Sequence, residues 1–424
     1  MSPDSDCGNG FNGTSDQSMQ RFKGRGRRRR GISSRLRTTD GNEPSMFRIS
    51  FGGKEHDESA DLEEKGSIPF TGFDKAYFHS YSHLGIHEEM IKDRVRTETY
   101  RAAIMHHQSF IEGKVVVDVG CGTGILSIFC AQAGAKRVYA VDASDIAVQA
   151  NEVVKANNFS DKIIILHGRV EDVEIEEEVD VIVSEWMGYM LLYESMLESV
   201  ITARDRWLKR GGLILPSHAS LYMAPVSHVE RYNEAVEFWR DVYGIDMSVM
   251  LPLAKLCAFE EPSVETITGE NVLTWPHVVK HIDCYKVQIQ ELESVSSQFK
   301  FKSMMRAPLH GFAFWFDVEF GGPAGNSHAQ HVDELFSEIV RDGSQRRKRS
   351  NQNDSLILST APEDPSTHWQ QTLIYFYEPI EVEQDQIIEG LVTLSQSKEN
   401  RRFMNIHLEY NAGGRSFVKE SVMR

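Results

Sequence analysis

Glu185 and Glu194 stand nine residues apart in SEWMGYMLLYE, on either side of one glycine. Two carboxylates on one short loop suit a planar cation. A guanidinium carries five N–H donors in a fixed fork and stays charged at neutral pH, so it takes carboxylates two bonds at a time. Unequal contact with the two glutamates would draw positive charge to one side of the fork and leave a terminal nitrogen with more lone-pair character, able to act as a nucleophile. Exposed glutamates are common, and without a second motif the same pair reads as two solvated loop carboxylates.

The second motif is VDVGCGTG, with Gly120, Gly122 and Gly124 directly after an apolar run and before a helical stretch. Glycines in that context let a ligand approach the backbone closely. The spacing is GxGxG, not the GxGxxG of a pyrophosphate site, and no Lys-Ser/Thr pair follows to make a P-loop. A phosphate-free nucleoside is favoured. Asp142 closes the next apolar run, 18 positions past Gly124, where a carboxylate can accept both ribose hydroxyls. Glu171, in GRVEDV, is placed to accept from an adenine amino group. Together these residues describe a pocket for S-adenosyl-L-methionine (SAM), whose positive sulfonium is attracted by an acidic, dipole-lined site.

Such residues need a frame that brings several loops to one edge. KVVVDV (114–119), RVYAV (137–141), IIILH (163–167), VDVIVS (179–184) and LILP (213–216) are continuous apolar runs, suited to parallel strands buried on both faces. ILSIFCAQAG, DIAVQANEVVKANN and YESMLESVITARDRWLK carry helical spacing between them, which gives the rhythm of a doubly wound sheet. Ahead of the first run, Ile86, Met90, Ile91, Val95 and Tyr100 recur near three- and four-residue steps and predict one long helix. Glu185 then falls at the carboxyl end of the fourth strand, where open α/β sheets bind ligands, and Glu194 near the next helix start.

After Pro216 the segments alternate or run short: FKFKSM, HGFAFWFDVEF, LILST, TLIYFY, IIEGLVTL and RFMNIHLEY predict a β-sandwich or barrel. VERYNEAVEFWRDVYGID (229–246) reads as an amphipathic helix whose Val236, Phe238, Trp239, Val242 and Tyr243 dock either on a partner or on the protein's own core. The polar stretch 321–354, ending near Arg346 to Arg349, reads as a surface insertion. The expected fold is therefore α/β: a doubly wound, SAM-binding Rossmann-like domain over 71–216, then a β-barrel-like domain over 217–424 with a helical arm at about 229–259.

Bulk properties agree with two folded domains and a tail. At 424 residues the chain exceeds what one core usually serves. Residues 1–70 are rich in Gly, Ser, Asp and Arg and short of apolar residues, so a disordered tail is expected. Its GRGRRRRG (Gly24 to Gly31) suits a nuclear import signal, an anionic-surface contact or a methyl acceptor in cis. The net charge of −16 favours cationic partners and repels nucleic acid from the folded core. Five cysteines with no close pair, no secretory signal and no membrane-spanning run point to a reduced, intracellular protein, in nucleus and cytoplasm, without a metal site.

YFHSYSHLGIHEEMIKDRVRTETYR, VDVGCGTGILSIFCAQAGAKRVYAVDAS, SEWMGYMLLYESML and STHWQQTLIYF together resemble the type I protein arginine methyltransferases, in family order, from about Tyr77 to the C-terminus. HGFAFWF and the last strands are most similar to a plant-type branch. The resemblance implies a SAM-dependent enzyme giving monomethyl- and asymmetric dimethylarginine on proteins such as histone tails and Gly-Arg-rich chains. It implies that Tyr77 and Tyr81 lie on a cofactor-covering segment, and that His87, Met90, Arg96, Gly120, Gly122, Asp142, Val170 and Glu171 hold the cofactor, with Arg96 on the methionyl carboxylate. Unaided, Met90 reads as core and Arg96 as a solvated helix face. By the same resemblance His368 and Trp369 face the double-glutamate loop, His368 pairs with Asp93 and helps proton removal, and Met90 and Met196 crowd the acceptor pocket toward asymmetric product. The family also implies a head-to-tail homodimer through the arm.

Two features depart from the family: Asp142 stands where it usually has Glu, and the 321–354 insertion exceeds the shorter members. The cofactor half alone would also suit a SAM methyltransferase acting on a nucleic acid or small molecule. The acidic acceptor loop and the absence of an Asn/Asp-Pro-Pro-Tyr/Phe motif weigh against that. A scaffold with weak activity is the other alternative, and intact Glu185, Glu194, His368 and glycines weigh against it.

Overall fold

The structure, a computed structural model, describes residues 71–322 and 356–424. The expected tail, both basic clusters and nearly all of the insertion lie outside the described residues. Five strands, β1 (Val115–Val119), β2 (Arg137–Asp142), β3 (Ile163–His167), β4 (Val179–Ser184) and β5 (Leu208–Leu215), form one parallel sheet in the order β3-β2-β1-β4-β5. Every residue of β1 is buried, its four valines as a strand at a sheet centre requires and Asp118 with them. The expectation of two buried faces fails for β3, an edge strand whose Ile164 and His167 are exposed.

The leading segment is three helices and not one: α1 (Gly72–Tyr81), α2 (Leu84–Lys92) and α3 (Arg94–His106), followed by the single turn α4 (Gln108–Ile111). The apolar spacing runs through the breaks, but Asp93 takes extended backbone and its Oδ1 accepts the Arg96 N–H at 3.0 Å. A capping carboxylate satisfies a donor that an unbroken helix would have bonded to its own backbone, so the chain restarts there. The crossover helices α5 (Ile125–Gln132), α6 (Ile146–Ala156) and α7 (Leu197–Trp207) complete the doubly wound layer.

Pairing turns antiparallel past the cis Leu215–Pro216 bond. One sheet holds β6 (His218–Val226), β7 (Ser263–Glu265), β8 (His277–Asp283), β10 (Ala307–Phe320), β11 (Leu356–Ser359) and β12 (Gln371–Val382). A second holds β9 (Ser294–Lys302), β13 (Ile387–Gln396), β14 (Met404–Ala412) and β15 (Arg415–Met423). Together they make the barrel-like half. The unbroken apolar run in β10 has a physical reason: Phe312, Phe314 and Phe316 enter the main core, while the alternate Ala313 and Trp315 enter a smaller core on the other face. The main core is continuous between the two halves; Tyr100 of α3, for example, meets Phe320 edge-on at 4.9 Å.

The expected amphipathic helix 229–246 is only partly helical. It comprises α8 (Val229–Ala235), one 3-10 turn over Glu237–Arg240 and a hairpin-like bridge between Val242 and Ile245; α9 (Leu251–Phe259) follows. Asp241 accepts the Gly244 N–H at 2.7 Å, and Tyr243 and Gly244 both have positive φ, so the chain turns where the helix would continue. Its expected apolar face divides accordingly: Val236 enters the smaller core with Phe259, while Phe238 and Tyr243 face outward. Among the described residues no helix is long and apolar enough to cross a membrane.

Candidate active site

The strand order reverses between β1 and β4, and that is where open α/β sheets leave a crevice at their carboxyl ends. Val119 pairs with Ser184, and the Ser184 hydroxyl donates to the Val119 carbonyl at 2.8 Å, so the residues that follow each strand, Gly120 and Glu185, leave side by side. Tyr100 reinforces this edge from α3, its hydroxyl donating to the Ser184 carbonyl at 2.9 Å.

Gly120, Gly122 and Gly124 have φ of 71°, 53° and 82°. A Cβ on Gly120 would lie 2.1 Å from the Met196 methyl, and one on Gly122 would lie 3.0 Å from the His87 imidazole. Both close approach and left-handed backbone therefore demand glycine. Asp142 lies across this cradle: Oδ2 accepts the Gly122 N–H at 2.8 Å and Oδ1 accepts the Ser144 N–H and hydroxyl. The short carboxylate is drawn onto the glycine loop. Glu171 accepts from the Ser199 hydroxyl at 2.8 Å, the neighbouring Val170 is buried, and His87 Nε2 lies 2.7 Å from the Tyr81 carbonyl. A cradle that a Cβ would fill, with the Asp142 carboxylate on its loop, fits an uncharged nucleoside better than a phosphate. Among the described residues no group of three or more His, Cys, Asp or Glu side chains could hold a metal ion.

The two glutamates are held by different partners. Glu185 receives Arg96 Nε at 3.1 Å, both side chains being nearly buried, while Arg96 Nη1 donates to the Met90 carbonyl at 3.0 Å. Arg96 is therefore neither a solvated helix face nor free for a cofactor carboxylate alone; its first acceptor is Glu185. Glu194 Oε2 accepts from both Tyr77 and Tyr81 at 2.7 Å. Burial raises the Glu194 carboxyl above its ordinary range, opposed by the two tyrosine hydrogen bonds and the charge of Arg402, and Glu185 adds to the rise. The loop is strained: Met190, Leu191, Glu194 and Ser195 all have positive φ, which costs roughly 1–3 kcal/mol for each non-glycine residue.

From the barrel side, His368 Nδ1 lies 2.8 Å from Asp93 Oδ2, and the Trp369 indole N–H donates to the Met187 carbonyl inside the double-glutamate loop at 2.8 Å. Burial works to raise the Asp93 carboxyl, but hydrogen bonds from His368 and from the Arg96 backbone hold it below its usual value. Direct contacts thus join Gly122 to Asp142, Gly120 to Met196, Arg96 to Glu185, Tyr77 and Tyr81 to Glu194, and His368 to Asp93, while Glu171 bonds to Ser199 and to none of the others.

Comparison with known proteins agrees with this geometry. The model for "Arginine methyltransferase oligomerization subdomain" matches residues 217–330 and 348–415, and that for "Ribosomal protein L11 methyltransferase (PrmA)" matches 99–217. The chain is 66% identical to the probable protein arginine N-methyltransferase 6 of Arabidopsis thaliana over the whole of both chains. It is 44% identical to protein arginine N-methyltransferase 6 of Danio rerio, over 80% of this chain and 90% of the relative. The chain belongs to the protein arginine N-methyltransferase family. Among solved structures it is similar to Arabidopsis thaliana protein arginine methyltransferase 10 (TM-score 0.68, 34% identity, 82% of this chain and 100% of that one). It is equally similar to the Trypanosoma brucei PRMT1 enzyme-prozyme heterotetrameric complex with AdoHcy (TM-score 0.68, 33% identity, 81% of this chain and 100% of that one).

Two residues beside Glu194 carry no signal in the sequence. Arg402 and Asp74 form an ion pair at 2.9 Å, 328 positions apart in the chain. Nothing local marks such a pair; Asp74 also closes the capping box with Thr71 that starts α1.

Proposed function

We propose that this chain transfers methyl groups from SAM to protein arginines, giving monomethyl- and then asymmetric dimethylarginine as a type I enzyme. Histone tails and Gly-Arg-rich proteins are the proposed substrates, and a homodimer in nucleus and cytoplasm the proposed working form. One observation carries the reading: two carboxylates with separate hydrogen-bonding partners converge at the switch point, directly beside a glycine cradle. Family membership supports the chemistry, and the oligomerization-subdomain match supports the dimer.

Bound over Gly120 and Gly122, with Asp142 and Glu171 as acceptors, the cofactor would supply an electrophilic methyl on a positive sulfur. Arg96, with Nε and Nη1 already committed, would offer Nη2 to its carboxylate. Glu185 and Glu194 grip the substrate guanidinium, whose charge favours the ionised form of Glu194 against its burial. Tyr77 and Tyr81 occupy one oxygen of Glu194, which leaves the other for a guanidinium N–H. With Asp93 accepting at Nδ1, Nε2 is the His368 ring nitrogen left to receive the proton that the substrate guanidinium nitrogen loses on methylation. Met196 and Met90 narrow the space around the nitrogen, which supports asymmetric product.

The test is to incubate the protein with labelled SAM and a Gly-Arg-rich or histone-tail peptide, hydrolyse, and resolve the methylarginines. Asymmetric dimethylarginine, lost in Glu185→Gln while SAM binding persists, is the expected result. Only monomethylarginine would overturn the product assignment, and SAM binding with no label in arginine would overturn the acceptor.

A further inference from the structure

We infer that Arg402, in the turn between β13 and β14, is a positioning residue for methyl transfer: it latches α1 to the Glu194 turn, so that Tyr77, Tyr81 and Glu194 meet the substrate as one unit. The inference rests on reading Glu194 as a guanidinium ligand. Its basis is that one guanidinium serves two elements at once. Nε and Nη2 donate to Asp74 Oδ1 at 3.0 and 2.9 Å, and Nη1 donates to the Glu194 carbonyl at 3.0 Å. The Glu194 N–H in turn donates to the Arg402 carbonyl at 3.1 Å, so both backbone groups of Glu194 are tied to one residue of the barrel half.

The Asp74 end is equally specific. Its Oδ2 accepts the Thr71 N–H and hydroxyl, closing the capping box that starts α1, while Oδ1 takes Arg402. The guanidinium also lies 3.8 Å from the centre of the Tyr77 ring, the ring whose hydroxyl donates to Glu194 Oε2. A closed circuit results: Arg402 to the Glu194 backbone, Glu194 side chain to Tyr77, Tyr77 and Asp74 on α1, and α1 back to Arg402. The Arg402 and Asp74 side chains are mostly buried, so water competes weakly for these bonds.

The Glu194 turn needs such support. Glu194 and Ser195 take left-handed backbone at φ 75° and 57°, a region that residues other than glycine rarely adopt. The same barrel turn supplies the rest of the mould: the Ser195 hydroxyl donates to the Arg401 carbonyl at 2.7 Å, and Arg401 Nη2 contacts both oxygens of Glu198 at 3.0 Å. Arg402 differs from Arg401 in reaching α1 as well, and it is the arginine whose charge acts on the Glu194 carboxyl.

The test compares the full chain with Arg402→Gln and Arg402→Lys. In Arg402→Gln, amide exchange across residues 74–81 is expected to quicken about tenfold while the parallel sheet keeps its protection, and kcat to fall about 10- to 100-fold with a smaller change in the peptide KM. Losing the cation leaves Glu194 harder to ionise, so the acid limb of the kcat profile should move to higher pH. Arg402→Lys keeps the charge but lacks the fork, so it should restore the acid limb and part of the α1 protection, with kcat still low. Wild-type exchange in α1 and an unmoved acid limb in Arg402→Gln would overturn the inference, as would exchange that quickens uniformly through the chain. If the wild type methylates no arginine, the functional reading fails by itself, and the exchange comparison still decides whether Arg402 is the latch.

Discussion

Asp93 Oδ2 accepts from His368 twice, from the backbone N–H at 2.9 Å and from the ring Nδ1 at 2.8 Å, while Asp93 Oδ1 caps α3. One carboxylate thereby starts a helix in the parallel-sheet half and fixes a ring on the barrel half. Asparagine is nearly as good an N-cap as aspartate, so Asp93→Asn should cost little stability. It places one oxygen and one NH₂ where two oxygens stood, however, and cannot satisfy the cap, the His368 N–H and the same ring tautomer together. The single-turnover methylation rate of Asp93→Asn is expected to fall about 100-fold, the low end of what loss of a positioned general base gives, with the melting temperature within a few degrees of wild type. A rate equal to wild type in rapid-quench measurements would remove His368 from proton transfer.

The outward part of the arm leads to a second prediction. Tyr243 is 98% and Val249 85% exposed, and Phe238 and Leu253 of the same arm are exposed too, although the root of the arm is anchored by Tyr232 stacked on Phe259 at 5.7 Å. An anchored arm with a bare apolar tip fits the proposed dimer, since stable interfaces remove about 1,200–2,000 Å² from water. Tyr243→Glu with Val249→Glu would place two charges in that interface without partners. Sedimentation should then show a monomer where the wild type is a dimer. A dimer that survives both changes would put the contact elsewhere.

The parallel sheet was readable because its strands are predominantly apolar and its glycines sit at strand ends: Val115 to Val119 and Gly120 to Gly124 needed no tertiary knowledge. The barrel half was read less completely. β9 shows its alternation plainly in FKFK, but β6, β8 and β15 mix polar and apolar residues, and their pairing rests on partners distant in sequence. In the leading segment the apolar period passes straight through Asp93, so periodicity alone hides a break that a capping carboxylate creates. At the site, residue type was enough to mark Glu185 and the glycines. The pairing of Arg96 with Glu185, and of Arg402 with Asp74, depends on which loops the fold brings together.

Asp118 carries the last prediction. It is fully buried at the centre of the parallel sheet, with Oδ2 accepting from the Ser127 hydroxyl at 2.6 Å and Oδ1 making no hydrogen bond in the structure. Burial pushes its carboxyl from 3.8 up to about 7, against the Ser127 bond that favours the ionised form. The folded chain thus keeps a proton that the unfolded chain releases, so the stability present below pH 3.8 is lost progressively as pH rises to about 7. At 1.36 kcal/mol per pH unit this window corresponds to about 4 kcal/mol. Asp118→Asn still offers an oxygen to Ser127 and carries no charge; its buried NH₂ costs the same at every pH. The difference in urea midpoint, variant minus wild type, should therefore grow steadily between pH 5 and 7 and level off above. A difference independent of pH would mean that the ionised Asp118 is as well accommodated in the fold as the neutral form.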